Sequence, residues 1–524
     1  MQKLLSPFRL KRQAAAARGR GGGAVTERQQ LEESGPRSFT RSPAYRTLLQ
    51  RAPPGACRES TDDYGFPFTE RHLQCVWYDA LIRPAPLRTS NGETVAVRDP
   101  GRWNLEAGPD FLDAVLAVEP GTRLRSGDVE IHVHPGDWER HGHADRPAYG
   151  RLVAHVTYFE SERPPHGLPP GTLQIPLREL LHRDPRFSFS GIDTSAYPHA
   201  VPTGPAPPCA ESVVRLSPPE QVLLLEAAGH ERLRVKALRM RHAFARKGAT
   251  QVLYEEVFSA LGYKHNRAAF RLIASEVPLD ALHREAGDDL DRAYALLLGV
   301  AGLLPYRPAG GRHDGETRRF VRSLWDTWWK LQDRWDPPDR ERPQWRLSGL
   351  RPQNHPCRRL AAGAACFRPG IRLPERILAL DPTPPREWYA SVRDLLMQSA
   401  DMPYWSRRLS FRQPPQRRAV ALIGAHRAAS IIANVILPYV SAHGIDISPL
   451  LARVPPEDDN AVCRHMAARL FGRDHNPALY RHGLRQQGLV QLFHDFCLPC
   501  KGGCGRCGLP DALRASHESL VIDR

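Results

Sequence analysis

The hydrophobic period of this chain changes once, and that change limits its fold more than any other feature. Between residues 93 and 177 the apolar positions fall in short runs with the two-residue period of strands. These are ETVAVRD (93–99), DFLDAVLAV (110–118), GDVEIHV (127–133), RLVAHVTYF (151–159) and TLQIPL (172–177). From about residue 217 the apolar positions recur every three or four residues, as on helices. The expected fold class is therefore α+β, a mixed α/β sheet block followed by a mostly α-helical one.

The punctuation of the chain sets the expected boundaries. Residues 1–61 are rich in Arg, Gly, Ser and Pro without periodicity and read as a disordered basic tail. Its first residues also resemble an Arg-rich transit peptide, but they lack the apolar core of a secretory signal. The α/β block runs over 62–195 and opens with a helix in FTERHLQCVWYDALI (68–82), whose Leu73, Val76, Trp77, Ala80 and Leu81 share one face. AYPHAVPTGPAPPCAES lies in a Pro-rich linker, 196–216. Ser217 followed by Pro218 marks the start of a helical domain over 217–496. Its further helices are expected at 250–262, 266–275, 289–303, 316–334, 386–399, 417–441 and 478–496. A four-Cys loop at 497–508 and a tail at 509–524 complete the chain. No stretch reaches the ~18 apolar residues of a membrane span, so no membrane partner is expected.

The run GPDFLDAVLAVEPGTRLRSGDVEIH (108–132) carries the chemistry of the first block. Its Pro-Gly turn predicts that 110–118 and 127–133 pair as a hairpin. Strand alternation then places Asp128, Glu130, His132 and His134 on one face and Val129, Ile131 and Val133 on the other. Asp110 stands at the mouth of the partner strand, beside Glu130. Converging carboxylates repel unless a cation lies between them, and hard oxygen donors suit Mg²⁺ or Mn²⁺. The expected metal ligands are Asp110, Asp128 and Glu130.

An Asp at a strand start, with Glu-x-Lys about twenty residues later on the neighbouring strand, resembles the PD-(D/E)XK nuclease superfamily. Pro109, Asp110 and Glu130 match that pattern, the order of a helix before the strands agrees, and Glu70 fits the extra acidic residue of many such nucleases. His132 departs from it by standing where the family has Lys. The resemblance implies Asp110, Glu130, His132 and Glu70 as catalytic residues, with His132 positioning water or phosphate. A purely structural polar seam stays open as an alternative. So does a His-rich Zn²⁺ or Fe²⁺ site drawn from His134, Asp137, His141, His143 and His155.

Ten Cys include Cys497, Cys500, Cys504 and Cys507 in the spacing C-x2-C-x3-C-x2-C. Thiolates at this spacing can close on Zn²⁺ or an iron–sulfur cluster, and the glycines around them let the loop wrap it. So dense a cluster is unlike a distributed disulfide framework, and a reducing, cytoplasmic setting is the expectation. In the helical block, Trp325, Trp328 and Trp329 fit a helix core. In LRPQNHPCRRL (350–360), Arg351, Asn354, Arg358 and Arg359 could meet phosphates or cap neighbouring helices.

The strings RDPGRWNLEAGPDFLDAVL, GDVEIHVHPGDWERHGH, LGYKHNRAAF, LLLGVAGLLP, LRPQNHPCRRL, IIANVILPY and QQGLVQLFHDFCLPC, in this order, resemble the bacterial domain of unknown function 2851 family over roughly 62–508. That likeness implies a bacterial origin and brings no established activity. The chain carries 73 Lys and Arg against 57 Asp and Glu, a formal charge of +16, which favours a polyanionic partner such as nucleic acid. The functional expectation is a metal-dependent nuclease acting on DNA or RNA. A non-catalytic nucleic-acid-binding or scaffold protein, and a His/Asp metal hydrolase of a small molecule, are its alternatives.

Overall fold

The computed structural model of the chain describes residues 38–52 and 68–522, apart from 106–107, 120–122, 145, 162, 185–186, 195–196, 199–205, 264–265, 306–313, 338–341, 348–349, 400–401, 458–460, 473–474 and 501–503. Helix α1 is Ser42–Gln50 and α2 is Glu70–Tyr78. Seven strands follow: β1 (Leu87–Arg88), β2 (Thr94–Asp99), β3 (Arg102–Trp103), β4 (Phe111–Glu119), β5 (Arg123–His132), β6 (Leu152–Thr157) and β7 (Leu173–Pro176). Their order is β1-β2-β4-β5-β6-β7, with β3 pairing beside β4. The expected hairpin forms, with Phe111 opposite Val129 and Ala117 opposite Leu124.

The sheet is mixed. β5 runs parallel to β6, and β6 to β7. Parallel neighbours need a crossover that leaves the sheet plane, here residues 133–151 with a helical turn at Asp137–Arg140. The sheet also curls, since Ser90 just past β1 donates to the carbonyl of Gln174 in β7 at 2.9 Å. One core gathers Leu73, Val76 and Trp77 of α2 with Val129, Ile131, Ala154, Val156 and Ile175 of the strands. The period-two pattern is thus used as sequence alternation implies, with Val129 and Ile131 facing the core.

The helical block is built on α4 (Pro218–Lys247), which starts where Ser217 and Glu220 form a reciprocal cap, the Ser217 amide donating to Glu220 Oε2 at 2.7 Å. It packs closely on α6 (Gly483–Leu492). A Cβ at Gly229 would stand 2.2 Å from the carbonyl oxygen of Leu484, and one at Gly488 only 1.9 Å from that of Leu225. Glycine is required there by the backbone approach, on both helices. Arg267 Nη1 lies 3.3 Å from Asp193 Oδ2 and the Arg239 guanidinium lies over the Phe68 ring, tying the helical block to the sheet block. Pro36–Arg524 form one compact unit.

Several boundaries differ from those the sequence suggests. Within the stretch read as a disordered tail, Ser42–Gln50 is helical, because Tyr45 and Leu48 bury against a third core and the Tyr45 hydroxyl donates to Asp495 Oδ2 at 2.8 Å. Within the Pro-rich linker, α3 (Pro208–Val214) forms with proline at its first position and buries Cys209, Ala210 and Val213. The C-terminal tail is α7 (Leu509–Ile522), with Leu509, Ala512 and Leu513 in the same core. The helix expected over 417–441 starts only at Ala425. The preceding segment gives its carbonyls to arginines instead: Arg358 donates to those of Arg408, Val420 and Ala421, and Arg359 to that of Leu422. The LRPQNHPCRRL arginines in question are therefore backbone anchors. The helix expected over 316–334 divides into Gly315–Trp328 and Gln332–Trp335. That expected over 478–496 runs from Gly483 and closes in a π turn at Phe493–Cys497. No helix among the described residues is long and apolar enough to cross a membrane.

Candidate metal centre

β5 presents Glu130 and His132 on the face away from Val129 and Ile131, and the parallel register sets His155 of β6 beside Glu130. The 133–151 crossover then folds back over this face and brings His141 and His143 onto it. One nitrogen from each of His132, His141 and His143 lies within 4.8 Å of the others. His141 Nδ1 is 3.2 Å from His132 Nε2. Glu130 Oε1 joins them, 3.3 Å from His143 Nε2 and 3.6 Å from His132 Nε2. The set is three imidazoles and a carboxylate, a donor group suited to Zn²⁺, Mn²⁺ or Fe²⁺ more than to Mg²⁺.

A second layer orients these donors. His132 Nδ1 shares a 2.9 Å hydrogen bond with His155 Nε2, and His155 Nδ1 shares one of 3.1 Å with Gln174 Oε1. That relay leaves His132 Nε2 directed at the cluster. The Asp110 amide donates to Glu130 Oε2 at 2.9 Å. The Asp110 carboxylate accepts from Gln74 Nε2 at 2.7 Å and from the Ile131 amide at 2.8 Å. Gln74 also donates to Glu70 Oε1, so α2 links both acidic residues to β5.

The electrostatics follow from burial. His132 is fully buried, and burial first, then the neighbouring His155, His141 and His143, hold its pKa well below the ordinary imidazole range. Burial and His141 lower His143 to about 3, and burial lowers His155 to about 4. Neutral imidazole is the form that binds metal, so the ligands stand ready at neutral pH. Burial and then the charge of Glu70 raise Glu130 well above the usual carboxylate range. Neither ring nitrogen of buried His143 makes a hydrogen bond, though Nε2 stands at ion-pair distance from Glu130. An imidazole buried with unsatisfied nitrogens beside a carboxylate is a donor set lacking its acceptor.

The structure thus gathers Glu70, Asp110, Glu130 and His132, the four residues expected to be catalytic. Around them stand His141, His143 and His155 of the alternative His-rich set, with Gln74 and Gln174. Asp128 has a different place: its Oδ1 accepts from the amide of Asp113, which has φ 61° at a bulge in the hairpin. His134 and Asp137 shape the crossover, the His134 amide donating to Asp137 Oδ2 at 2.9 Å and Arg140 pairing with Asp137 Oδ1 at 2.7 Å. Gln74 lay four residues beyond Glu70, on one face of a predicted helix, and that spacing was its available signal. Gln174 carried none.

His141 is the partly exposed member of the set and marks its open side. The charges of Arg140 and Arg146 act on His141 there. Tyr149, whose ring lies 4.4 Å from that of His143, also feels Arg506 from the C-terminal Cys loop. In that loop Cys497, Cys504 and Cys507 are free thiols and Cys500 is disulfide-bonded. Residues 501–503 lie outside the described residues.

Residues 70–448 match the family described as "Protein of unknown function (DUF2851)", well over half of the chain. The matched span holds the whole His and carboxylate cluster and ends ahead of the Cys-rich run. No curated protein and no solved structure matches the chain.

Proposed function

Because the chain belongs to the DUF2851 family, whose description names no activity, we propose its function from the site: a metal-dependent hydrolase that cleaves phosphodiesters of nucleic acid. The observation that carries the reading is the convergence of His132, His141 and His143 within 4.8 Å, with Glu130 Oε1 alongside. A divalent ion held there would polarise a phosphoryl oxygen and acidify a bound water. His132, His141, His143 and Glu130 would hold it. Asp110 fixes Glu130 through its amide, and Gln74 fixes Asp110 and Glu70 together. This differs from an all-carboxylate nuclease site, because Asp110 positions Glu130 and His132 ligates where the superfamily has Lys. Arg140, Arg146 and Arg506, whose charges act on His141, His143 or Tyr149, would meet a phosphate backbone.

A second reading, a structural ion, is favoured by the burial of His132 and Glu130 at 0% and 3% exposure. One experiment separates the two. Purified protein is stripped with chelator, reloaded with Zn²⁺, Mn²⁺ or Mg²⁺, and incubated with labelled single- and double-stranded DNA and RNA, beside Glu130→Ala and His143→Ala. Cleavage that needs the reloaded ion and is lost in both variants supports the hydrolase. Tight stoichiometric metal without cleavage selects the structural ion, and equal cleavage by the variants rules out the assigned site.

A further inference from the structure

The Cys-rich run at 497–507 does not close on itself. Its second cysteine, Cys500, is disulfide-bonded, while a residue almost three hundred positions earlier comes to the loop. Cys209 is the second residue of α3, 7% exposed, and α3 packs against the turn Cys504–Arg506 and against both α7 and α5 (Ala461–Phe471). Cys209 belongs to the core on which Cys497 and Cys507 pack. Cys497 ends a π turn with its sulfur 3.4 Å from Met466 Sδ, and Cys504 Sγ accepts from Arg469 Nη1 at 2.9 Å. The amide of Cys507 donates to the carbonyl of Cys504 at 3.3 Å, closing a tight turn over that Cys-x-x-Cys pair.

Cys209, Cys497 and Cys507 thus share one core, with Cys504 in the turn packed against α3. A metal ion that displaces the protons of such thiols takes four sulfurs as its ligand set. We propose that Cys209, Cys497, Cys504 and Cys507 form one thiolate ligand set for a metal centre, with Cys500 outside it. The centre would staple the Pro-rich crossing at α3 to the C-terminal loop.

The spacing bears on which metal. Among the described residues, no three of these sulfurs lie within 4.8 Å of one another. A zinc tetrathiolate with Zn–S near ~2.3 Å needs closer sulfurs, whereas an iron–sulfur cluster places iron and sulfide between its thiolates and spans a wider set. The shared chemistry is thiolate ligation, and the test separates iron from zinc.

Full-length protein is purified anaerobically, reconstituted in one arm with iron and sulfide and in the other with zinc, then desalted. Iron, acid-labile sulfide, zinc and the visible spectrum are measured for wild type, Cys209→Ser, Cys500→Ser and Cys366→Ser. Counted beyond the ion of the His132, His141 and His143 site, which His143→Ala measures separately, the expected result is one centre per chain in wild type, Cys500→Ser and Cys366→Ser, with that centre lost in Cys209→Ser. Iron with sulfide identifies a cluster and zinc a mononuclear site, and either one supports the ligand set. A centre kept in Cys209→Ser, a centre lost in Cys500→Ser, or no metal retained by wild type in either arm overturns it. Should Cys209→Ser fail to fold, Cys209→His with Co²⁺ decides. Thiolate-to-cobalt absorption weaker than wild type by one thiolate supports the assignment, and unchanged absorption overturns it.

Discussion

Glu130 Oε1 and His143 Nε2 meet at 3.3 Å although their Cα atoms belong to a strand and to the crossover that leaves it. Neither nitrogen of His143 has a hydrogen-bond partner, so the ring packs on Tyr149 and Trp138 while its nitrogens are left to donate to an ion. His143→Ala should therefore lower affinity for Zn²⁺ or Mn²⁺ by more than roughly 100-fold, beyond the usual loss for an outer partner. His134→Ala, in the same crossover but turned to its backbone, should leave affinity within a few-fold. Isothermal titration of chelator-stripped protein measures both, and equal affinities would remove His143 from the ligand set.

The His132, His155 and Gln174 relay predicts a graded loss. His155→Leu keeps the apolar volume between β5 and β7 but removes the hydrogen bond that fixes His132. Metal affinity should fall about 10- to 100-fold while the urea midpoint of the stripped protein moves much less. If His155→Leu bound metal as wild type does, His132 would be oriented by packing alone.

How much of this was legible depends on how local each signal is. Strand alternation in GDVEIHV is a local property, and it assigned Glu130 and His132 to one face and Val129 and Ile131 to the core. The meeting of Glu70, Asp110 and Glu130 followed from the superfamily likeness. The parallel pairing of β5 with β6 is a tertiary outcome with no local signature, and it alone carries His141 and His143 over His132. In sequence those two stood only as candidates for an alternative His-rich metal site, with nothing to join them to Glu130 and His132. Asp128 stands where alternation is interrupted: the register shifts between Asp128 and Val129, and the Asp128 carboxylate accepts from the Asp113 amide. The Pro-rich 196–216 stretch was misjudged because composition reports flexibility on average, while Cys209 and Val213 are held by a core assembled from distant helices.

Arg358 gives a prediction about the fold. Its guanidinium is wholly buried and serves the carbonyls of Arg408, Val420 and Ala421. Removing it leaves the buried carbonyl of Arg408 and the part-buried ones of Val420 and Ala421 without this donor, at about 1–3 kcal/mol for each one cut off from water. Arg358→Leu should cost about 3 kcal/mol or more, and Arg358→Lys should recover little, since one ammonium cannot reproduce the planar fork. Urea unfolding at neutral pH checks this. A loss below about 1 kcal/mol would mean that water or a local shift satisfies those carbonyls.

His230 supplies the pH dependence. It lies 6% exposed beside the Phe39 ring, and burial first, then the charge of Arg41, lowers it to about 4. Its unfolded-state pKa is near ~6.5. Because the folded pKa is the lower one, the unfolded chain binds the proton more readily between these values. The contribution is therefore fully present above pH ~6.5 and is lost as the pH falls toward 4. At ~1.4 kcal/mol per pKa unit, the loss attributable to this residue approaches about 3 kcal/mol at the acid end. His230→Gln, which never takes up the proton, should start less stable or equal at pH 7 and lose less than wild type on acidification to pH about 4.5. Urea midpoints of both proteins at the two pH values give the difference directly, and parallel losses would show that His230 is protonated without cost in the folded chain.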